Sequence, residues 1–423
     1  MSSFSHQQHK KRRIVVTGRG VVTPLGNHLQ EMWAALLQGK SGISTIDTYD
    51  ASGLSVQFAG LIKNFDITNF ITAKEARKFD PFIHYAIAAA VQAQQDARLD
   101  LAQLNTRRIG ACIGSGIGGI STIQQQQIVL MQQGARRVSP FVIAGSIANM
   151  AAGNISILLG LRGPNLSVTT ACTSATHSIG LAARLIAYGD ADVMFAGGSE
   201  AASCSLGMAG FAAARALSKR NDVPAEASRP WDKERDGFVL SDGAGILILE
   251  EYEHALKRGA PIYAELIGFG MSADAYHITA PPEQGEGAYD AMKAALEDAQ
   301  LAPNAIDYIN AHGTSTPAGD DAEAAAIKQL FAEHCSRLAV SSTKSMLGHM
   351  LGAAGAVEAI IAIQSLLDQI APPTINLHQP TVIGLDLVPN YAKPMTINRV
   401  MSNSFGFGGT NGSLIFQRMG ASL

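Results

Sequence analysis

The sequence predicts a layered α/β fold built from two similar halves. Apolar runs typical of buried strands alternate along the chain with helical stretches such as residues 74–97. The 423 residues exceed one ordinary hydrophobic core, and the 42 glycines favour tight turns and close packing. Strands are predicted at residues 14–17, 109–113, 193–196 and 246–249, and again at 263–268, 306–311, 338–341 and 413–416.

Three motifs of the first half recur in the same order in the second half. Residues 109–115 resemble 307–314, residues 168–174 resemble 340–345, and residues 237–249 resemble 406–416. This order predicts an ancient duplication, with a basic disordered tail at 1–13, a first half at 14–255 and a second half at 256–423. A site at the seam would draw residues from both halves. The alternative is that glycine-rich turns arose independently in each half.

Charge and cysteine usage exclude several classes of protein. The net charge of −3 gives no basis for nucleic-acid binding. Cys112, Cys172, Cys204 and Cys335 form no CxxC pair, so neither a disulfide framework nor a cysteine zinc site is indicated, and a reduced cytoplasmic protein is predicted. No apolar run is predicted to span a membrane, and the basic tail lacks the hydrophobic core of a signal peptide.

A long segment of the first half carries charge of one sign. Residues 101–189 contain no Asp or Glu. This pattern predicts that an acidic partner or an anionic substrate approaches there, and the alternative is chance in a segment rich in glycine and alanine. The arginines of the segment are Arg107, Arg108, Arg136, Arg137, Arg162 and Arg184.

Cys172 is the strongest candidate for a reactive group. It follows an apolar strand and a turn of small polar residues, and precedes a helix predicted to end near Gly189. The amides and dipole of a helix N-terminus favour thiolate over thiol, and no carboxylate lies near in sequence. The other three cysteines are interpreted as small core residues.

Two histidines of the second half are candidate partners of that cysteine. His312 lies in NAHGTSTP at the end of a predicted strand, and His349 lies in SMLGHMLGAAG near the start of a predicted helix, five residues after Lys344. A thiolate with two imidazoles suits acyl chemistry. A single histidine would more often be a core residue, but two at corresponding turns favour a catalytic role.

Two glycine-rich turns have different interpretations. The turn at 403–412, NSFGFGGTNG, can present backbone N–H groups to an oxyanion and move as a gate, although a plain hairpin would have a similar composition. The turn at 114–119, GSGIGG, fits the GxGxxG pattern of dinucleotide sites. Such a site needs an acidic residue about twenty positions later, and none occurs before Asp190. The nucleotide interpretation is therefore rejected.

Taken together, these motifs resemble the β-ketoacyl-acyl-carrier-protein synthases, most closely the elongating type II enzymes of bacterial fatty-acid synthesis. The resemblance extends from about Arg13 to Arg418. It rests on the TAC turn at Cys172, RPWDKERDGFVLSDGAG at 229–245, NAHGTSTPAGD at 310–320, STKSMLGHMLGAAGAVEA at 342–359, and NSFGFGGTN. It implies a thiolase fold, a duplicated five-layered α/β/α/β/α core, usually as a homodimer.

The resemblance also implies a role for each site residue. Cys172 would carry the acyl chain as a thioester, His312 and His349 would stabilise the enolate formed when malonyl-acyl carrier protein loses carbon dioxide, and Lys344 would support them. The amides of Cys172 and Phe405 would form the oxyanion hole. Thr314 and Thr316 would hold the phosphopantetheine arm. The acyl pocket and its gate would include Ile117, Phe407 and the loop from Asp274 to Thr279.

Partners follow from the same resemblance. An acidic acyl carrier protein would bring both substrates and the phosphopantetheine, so no redox cofactor or catalytic metal is required. A structural monovalent cation is expected near Glu358. Val142 stands where the family often has an aromatic residue that reaches the neighbouring subunit's acyl pocket. The basic residues that match the family's docking face are Lys74, Arg77, Lys78, Arg136, Arg137 and Arg215.

Three other functions remain as alternatives. A thiolase acting on coenzyme A esters would use a second cysteine in place of a second histidine, and Cys335 lies in an unrelated helical segment. A zinc hydrolase could use Cys172, His312 and His349 as ligands. A non-catalytic partner subunit of a synthase pair would be expected to lack the nucleophile that this chain retains.

Overall fold

A computed structural model describes residues 11–421 of the chain. In these residues it has fourteen strands and thirteen α-helices. The strands are β1 Ile14–Val22, β2 Ser44–Thr45, β3 Phe58–Ala59, β4 Ile109–Gly114, β5 Asn165–Leu166, β6 Val193–Glu200, β7 Gly243–Glu251, β8 Ala264–Ala273, β9 Tyr308–Asn310, β10 Ala339–Ser341, β11 Ile370–Ala371, β12 Lys393–Pro394, β13 Arg399–Gly406 and β14 Thr410–Gln417. The helices are α1 Leu29–Leu37, α2 Ala73–Ala76, α3 Pro81–Asp96, α4 Ile120–Gln133, α5 Val142–Ser146, α6 Met150–Leu159, α7 Ser174–Tyr188, α8 Ser205–Ala213, α9 Tyr252–Lys257, α10 Glu286–Ala299, α11 Pro317–Phe331, α12 Lys344–Leu347 and α13 Ala354–Asp368.

The order of the main sheet repeats between the two halves of the chain. Ten strands are hydrogen-bonded in the order β10-β9-β13-β14-β8-β1-β7-β6-β4-β5. The second-half strands form one side in an order that mirrors the first-half strands on the other. The halves meet where β1 pairs antiparallel with β8 over residues 14–16. The corresponding strands β4 and β9, and β7 and β14, contain the motifs whose recurrence predicts a duplication.

Helices cover the sheet in layers. Helix α3 packs on β1, β7 and β6, and α10 packs on β8 and β14, which gives two outer layers. Helices α7 and α13 contact each other and strands of both halves, and form the middle layer. Helices α7 and α13 can approach closely because Gly355 has no side chain. A Cβ at that position would lie only 2.1 Å from Thr176 Oγ1. The five-layered thiolase fold that the resemblance implies is thus confirmed, and the first turns of both middle helices lie at the seam.

Two local predictions differ from the structure. The helix predicted at 74–97 is two helices, because Pro81 holds Asp80 in an extended conformation, and Asp80 then caps α3 by accepting a hydrogen bond from the Phe82 N–H. Residues 1–10 of the predicted disordered tail lie outside the described residues. Its last residues are bound: Arg12 pairs with Asp192 at 2.8 Å and Arg13 with Glu265 at 2.7 Å.

Among the described residues, one helical stretch has the length and the composition of a membrane span. Residues Leu351–Asp368 have a mean hydropathy of 1.4. Of these residues, however, 83% are buried inside the protein. Most of the stretch is α13, which packs between the two halves of the sheet, so its hydropathy is explained by its place in the middle layer.

Candidate active site

Cys172 lies in a single 3₁₀ turn, residues 171–173, that leads directly into α7. The preceding residue, Ala171, has a positive φ of 50°, a conformation that alanine rarely adopts and that marks a strained turn. The side chain of Ser174 bonds the Thr170 N–H at 2.9 Å and stabilises the turn. The turn therefore holds Cys172 at the N-terminus of α7, as the sequence predicts.

The two histidines come from the second half and face the same space. His312 follows β9, where its backbone N–H donates to Glu323 at 2.9 Å. His349 follows α12, and its backbone N–H donates to the Val239 carbonyl at 2.7 Å. The two rings lie edge to face with centroids 5.2 Å apart. Both histidines are buried at the seam, and both lie in turns outside the helices.

The cysteine and the two histidines form one cluster. The Cys172 Sγ and one nitrogen from each of His312 and His349 all lie within 4.8 Å of one another. They line a cavity of about 420 Å³. This volume is enough for an acyl chain or a phosphopantetheine arm near the sulfur.

The ionisation of Cys172 differs from the prediction. Burial raises the pKa of its thiol to about 11, and hydrogen bonds from the backbone and the charge of Lys344 only partly oppose that rise. Glu200, a carboxylate distant in sequence, contributes to the increase. The helix N-terminus therefore does not produce a thiolate in the free protein, because desolvation exceeds its effect and a carboxylate does lie near in space.

Both imidazoles are neutral. Burial, followed by the charge of Lys344, lowers the pKa of His312 and of His349 well below the ordinary value. The Lys344 ammonium lies 3.4 Å from His312 Nδ1. An ammonium can only donate, so Nδ1 accepts and the ring proton of His312 is on Nε2. His312 can thus donate one hydrogen bond to an oxygen in the cavity.

A second backbone amide, besides that of Phe405, acts on Cys172. The backbone N–H groups of Phe407 and of Cys172 itself lower the pKa of the Cys172 thiol. Phe405 lies two residues earlier, in β13, and packs its ring against His312 with centroids 5.8 Å apart. The Phe407 amide is therefore a second candidate, beside that of Phe405, for the donor that would join the Cys172 amide in the oxyanion hole.

Residues predicted to bind substrate line the same cavity. The gate turn and the loop from Asp274 are hydrogen-bonded: the Asp274 N–H donates to Gly409 O at 2.9 Å, and Gly408 N–H donates to Ile278 O at 2.8 Å. Thr314 and Thr316 hydroxyls lie 2.9 Å apart. Cavity-lining residues from the prediction are Ile117, Asp274, Thr279, Thr314, Thr316, Phe405 and Phe407.

The predicted docking residues are exposed or half-buried. Lys74, Arg77, Arg136 and Arg137 are exposed, and Lys78 is half-buried with its ammonium 5.6 Å from the ring of Phe141. Arg215 is exposed and lines the cavity.

Not every arginine of the acid-free segment is available to a partner. Arg108 pairs with Asp192 at 2.9 Å. Arg184 lies over the ring of Phe269, 5.0 Å from its centroid. Part of the positive charge of this segment is therefore engaged in contacts within the protein.

The surroundings of Glu358 fit a monovalent cation. One carboxylate oxygen pairs with Lys344, and burial raises the pKa of the group to about 7. Among the described residues, the other oxygen, Asn310 Oδ1 and Ser402 Oγ are buried without hydrogen-bond partners. Asn310 and Ser402 are paired in register on β9 and β13, which α13 contacts. One carboxylate and two neutral oxygens suit a hard cation of low charge.

A metal ion at the cluster is the geometric alternative. A cysteine and two histidines with ligand atoms this close have the composition of a zinc site. Neutral imidazoles would favour the ion. Desolvation would oppose it, because the thiol must lose its proton to bind, and the nearby Lys344 ammonium would repel the ion.

Three residues near the site were not predicted from the sequence. Glu323 accepts the N–H groups of His312 and Gly313, and Phe238 packs against the His349 ring with centroids 5.3 Å apart. Glu200 accepts hydrogen bonds from segments beside Cys172. Phe238 lies within the RPWDKERDGFVLSDGAG motif and Glu323 occurs one turn after NAHGTSTPAGD, but no local pattern assigns either of them, or Glu200, to the site.

The fold and the Cys–His–His cluster define a condensing enzyme of the thiolase class. The model of the beta-ketoacyl synthase N-terminal domain matches residues 11–255, and that of the C-terminal domain matches residues 263–378. The chain belongs to the beta-ketoacyl synthase family.

Relatives and solved structures agree with that assignment. The chain is 57% identical to 3-oxoacyl-[acyl-carrier-protein] synthase 2 of Vibrio harveyi, over 97% of this chain and 99% of the relative. It is 58% identical to the protein of that name from Vibrio cholerae, over 97% and 100% of the two chains. A beta-ketoacyl synthase from Burkholderia phymatum superposes with a TM-score of 0.89 at 36% identity, covering 96% of this chain and all (100%) of that one. A type II polyketide ketosynthase in complex with its acyl-carrier protein gives a TM-score of 0.90 at 34% identity, with 97% and 100% covered.

Proposed function

We propose that the chain is a 3-oxoacyl-acyl-carrier-protein synthase of the type II elongating kind. It joins an acyl chain held on Cys172 to a decarboxylated malonyl unit. The convergence of Cys172, His312 and His349 within 4.8 Å in one cavity carries this proposal. The relatives named 3-oxoacyl-[acyl-carrier-protein] synthase 2 support it, since they match nearly the whole chain.

In the first half-reaction, the Cys172 sulfur attacks the thioester carbonyl of an acyl chain on a carrier protein. The thiol proton leaves, and the carbonyl oxygen becomes an oxyanion that the N–H groups of Cys172 and Phe407 stabilise. The carbon–sulfur bond to phosphopantetheine then breaks, and its sulfur takes up a proton. Cys172 retains the acyl group as a thioester. Burial disfavours negative charge on the Cys172 sulfur, and it also disfavours negative charge on the oxyanion. The two N–H donors are therefore important, because they stabilise that oxyanion in a buried site.

In the second half-reaction, a malonyl thioester occupies the same cavity. Its carbon–carbon bond breaks, carbon dioxide leaves, and negative charge appears on the thioester oxygen of an enolate. Neutral His312 and His349 donate hydrogen bonds to that oxygen. The enolate carbon attacks the acyl carbonyl on Cys172, and the carbon–sulfur bond to Cys172 breaks as the 3-oxoacyl product forms on the carrier. The Cys172 sulfur leaves as a thiolate and takes up a proton from solvent.

The carrier protein is the proposed partner because the cavity opens beside basic side chains. Arg215 is exposed at the cavity, where the phosphate of a phosphopantetheine arm would enter. Thr314 and Thr316 hydroxyls line the path and can bond the amides of the arm. The remaining docking residues, Lys74, Arg77, Lys78, Arg136 and Arg137, would attract the acidic carrier over a longer range.

We also propose a homodimer. Helix α4 has no fully buried residue, and exposed apolar side chains on this part of the first half include Met131, exposed by 75%, and Ile157, exposed by 78%. Strand β5 lies at the edge of the ten-stranded sheet with both of its residues exposed. A second copy would cover this surface and pair with that edge.

The reaction needs no redox cofactor or catalytic metal of its own. Loss of carbon dioxide leaves its bonding electron pair on the remaining malonyl carbon, and this pair forms the new carbon–carbon bond. The cation proposed at Glu358, Asn310 and Ser402 would neutralise buried oxygens and has no step in the reaction. We place the enzyme in the cytoplasm, because its four free cysteines fit a reducing compartment.

Mass spectrometry of the protein incubated with acyl-carrier proteins of graded chain length tests the proposal. The protein should gain the mass of one acyl group, located on Cys172, and should release a 3-oxoacyl product when malonyl-carrier protein is added. Cys172→Ala should remain folded but gain no mass, because the change removes little buried volume. An acyl adduct on the variant would show that another residue is the nucleophile. Stoichiometric zinc in the active protein would favour the hydrolase alternative.

A further inference from the structure

Glu200 is a fully buried carboxylate at the end of β6. No ion pair among the described residues includes it. Its charge is instead held by four neutral donors. Oε2 accepts the N–H of Gly116 at 2.6 Å and of Gly352 at 3.0 Å, and Oε1 accepts the Ser115 hydroxyl at 2.9 Å and the N–H of Ile117 at 3.1 Å.

These donors belong to two segments of the active site. Gly116 and Ile117 form the cavity wall in the first half. Gly352 lies three residues after His349, in the 3₁₀ turn before α13. The segments touch, since a Cβ on Gly352 would lie 2.2 Å from the Gly116 nitrogen. Glu200 therefore joins the acyl-cavity wall to the segment that carries a catalytic histidine.

The charge of Glu200 also reaches the nucleophile. It is among the causes that raise the pKa of Cys172, whereas Lys344 on the other side lowers it. Burial raises the pKa of Glu200 itself to about 7, and its hydrogen bonds oppose that rise. At the pH where Cys172 ionises, Glu200 is already an anion.

We propose that Glu200 is a positioning residue that sets chain-length selectivity by fixing Ile117 in the cavity wall against the His349 segment. This inference rests on the proposed function, because it takes the cavity to hold the acyl chain. The GSGIGG turn then has a physical explanation: its glycines let one carboxylate reach two successive amides and the opposite segment.

Glu200→Gln should remove the hydrogen bond of Ile117 and keep the other three, with little change in the shape of the side chain. If the amide oxygen occupies the Oε2 position, the Gly116 and Gly352 bonds survive. The new NH₂ group can donate to Ser115 Oγ, because a hydroxyl can turn and accept. The Ile117 N–H, however, then faces a donor and loses its partner. The substitution should therefore loosen Ile117 selectively.

Chain-length selectivity is the first measurement. We expect Glu200→Gln to raise the ratio of kcat/KM for long over short acyl-carrier proteins at least about threefold, because a looser Ile117 yields more easily to a long chain. The matched control is Asp242→Asn, which also alters a buried carboxylate without an ion pair among the described residues, one that accepts the N–H and the hydroxyl of Ser203. It does not line the cavity and should leave the ratio unchanged. Equal ratios for both variants and wild type would overturn the proposal.

Alkylation of Cys172 by iodoacetamide is the second measurement, and it needs no carrier substrate. Loss of the negative charge in Glu200→Gln should move the midpoint of the pH profile downward, so that the reaction is faster than in wild type at each pH below the midpoint. Asp242→Asn should not move it. An unmoved midpoint in Glu200→Gln would overturn the link to Cys172. Failure of the proposed function would instead appear as wild-type protein that is alkylated normally but never acylated.

Discussion

The ammonium of Lys344 lies 3.4 Å from Nδ1 of His312 and also pairs with Glu358, all within the buried seam between the two halves. The ammonium fixes the proton of His312 on Nε2 and helps keep both imidazoles neutral. Glu358 balances its charge. The pair thus determines which hydrogen bond His312 can donate to the enolate.

Lys344→Met should reduce both stability and decarboxylation. It leaves the Glu358 carboxylate buried without its partner, which typically destabilises by about 3–5 kcal/mol. The double variant Lys344→Met, Glu358→Gln should recover much of the free energy of unfolding, measured with denaturant, because no buried charge is left unpaired. It should not recover decarboxylation of malonyl-carrier protein. Recovery of that activity would show that Lys344 acts only through stability.

His312→Ala and His349→Ala should separate the two half-reactions. Each variant should still form the acyl adduct on Cys172, because the oxyanion donors of that step are backbone N–H groups. Decarboxylation should fall by about 100- to 1000-fold, the usual effect of removing one donor to a developing oxyanion. Acylation is followed by mass spectrometry and decarboxylation by carbon dioxide release. Condensation at the wild-type rate in either variant would contradict its role.

The pH profile of Cys172 alkylation in the free protein should show a buried thiol. Its pKa is raised to about 11, so the thiolate fraction, and with it the rate, should rise about tenfold per pH unit through the neutral range. Rapid mixing with iodoacetamide between pH 6 and 9 measures the slope. A plateau near pH 7 would instead indicate the activated thiolate that the helix N-terminus alone predicts.

Charge reversal at Arg136 and Arg137 should weaken docking of the carrier protein. KM for carrier substrates should rise at low salt and its salt dependence should flatten, with little change in kcat, because long-range attraction mainly affects association. Reversal of Lys257 and Lys293, which are also exposed, is the control. Unchanged KM in the arginine variant would exclude this surface.

Ile117→Phe should shorten the accepted acyl chain. The larger ring adds volume to the cavity wall, where overpacking typically costs about 1–3 kcal/mol, and only a long chain presses on that wall. Activity on long acyl-carrier proteins should fall roughly tenfold, while the shortest chains still acylate Cys172. Ile117→Leu, which conserves volume, should keep the wild-type profile. Equal losses at every length would indicate that Ile117 does not line the acyl pocket.

The sequence by itself determined the class of fold, the strand-to-helix turn at Cys172 and the turns of both histidines. Each is encoded locally: apolar runs specify buried strands, and glycine and small polar residues specify where they turn. The recurring motifs also indicated two halves, which the mirrored strand order agrees with.

Only the tertiary structure decided the electrostatics and the donors of the site. The helix N-terminus at Cys172 favours a thiolate, but burial and the distant Glu200 outweigh it. Phe405 and Phe407 lie in the same glycine-rich turn, and only the tertiary structure indicates that the Phe407 N–H acts on the Cys172 thiol. Desolvation and hydrogen-bond direction depend on residues far apart in the chain, so no local pattern could specify them.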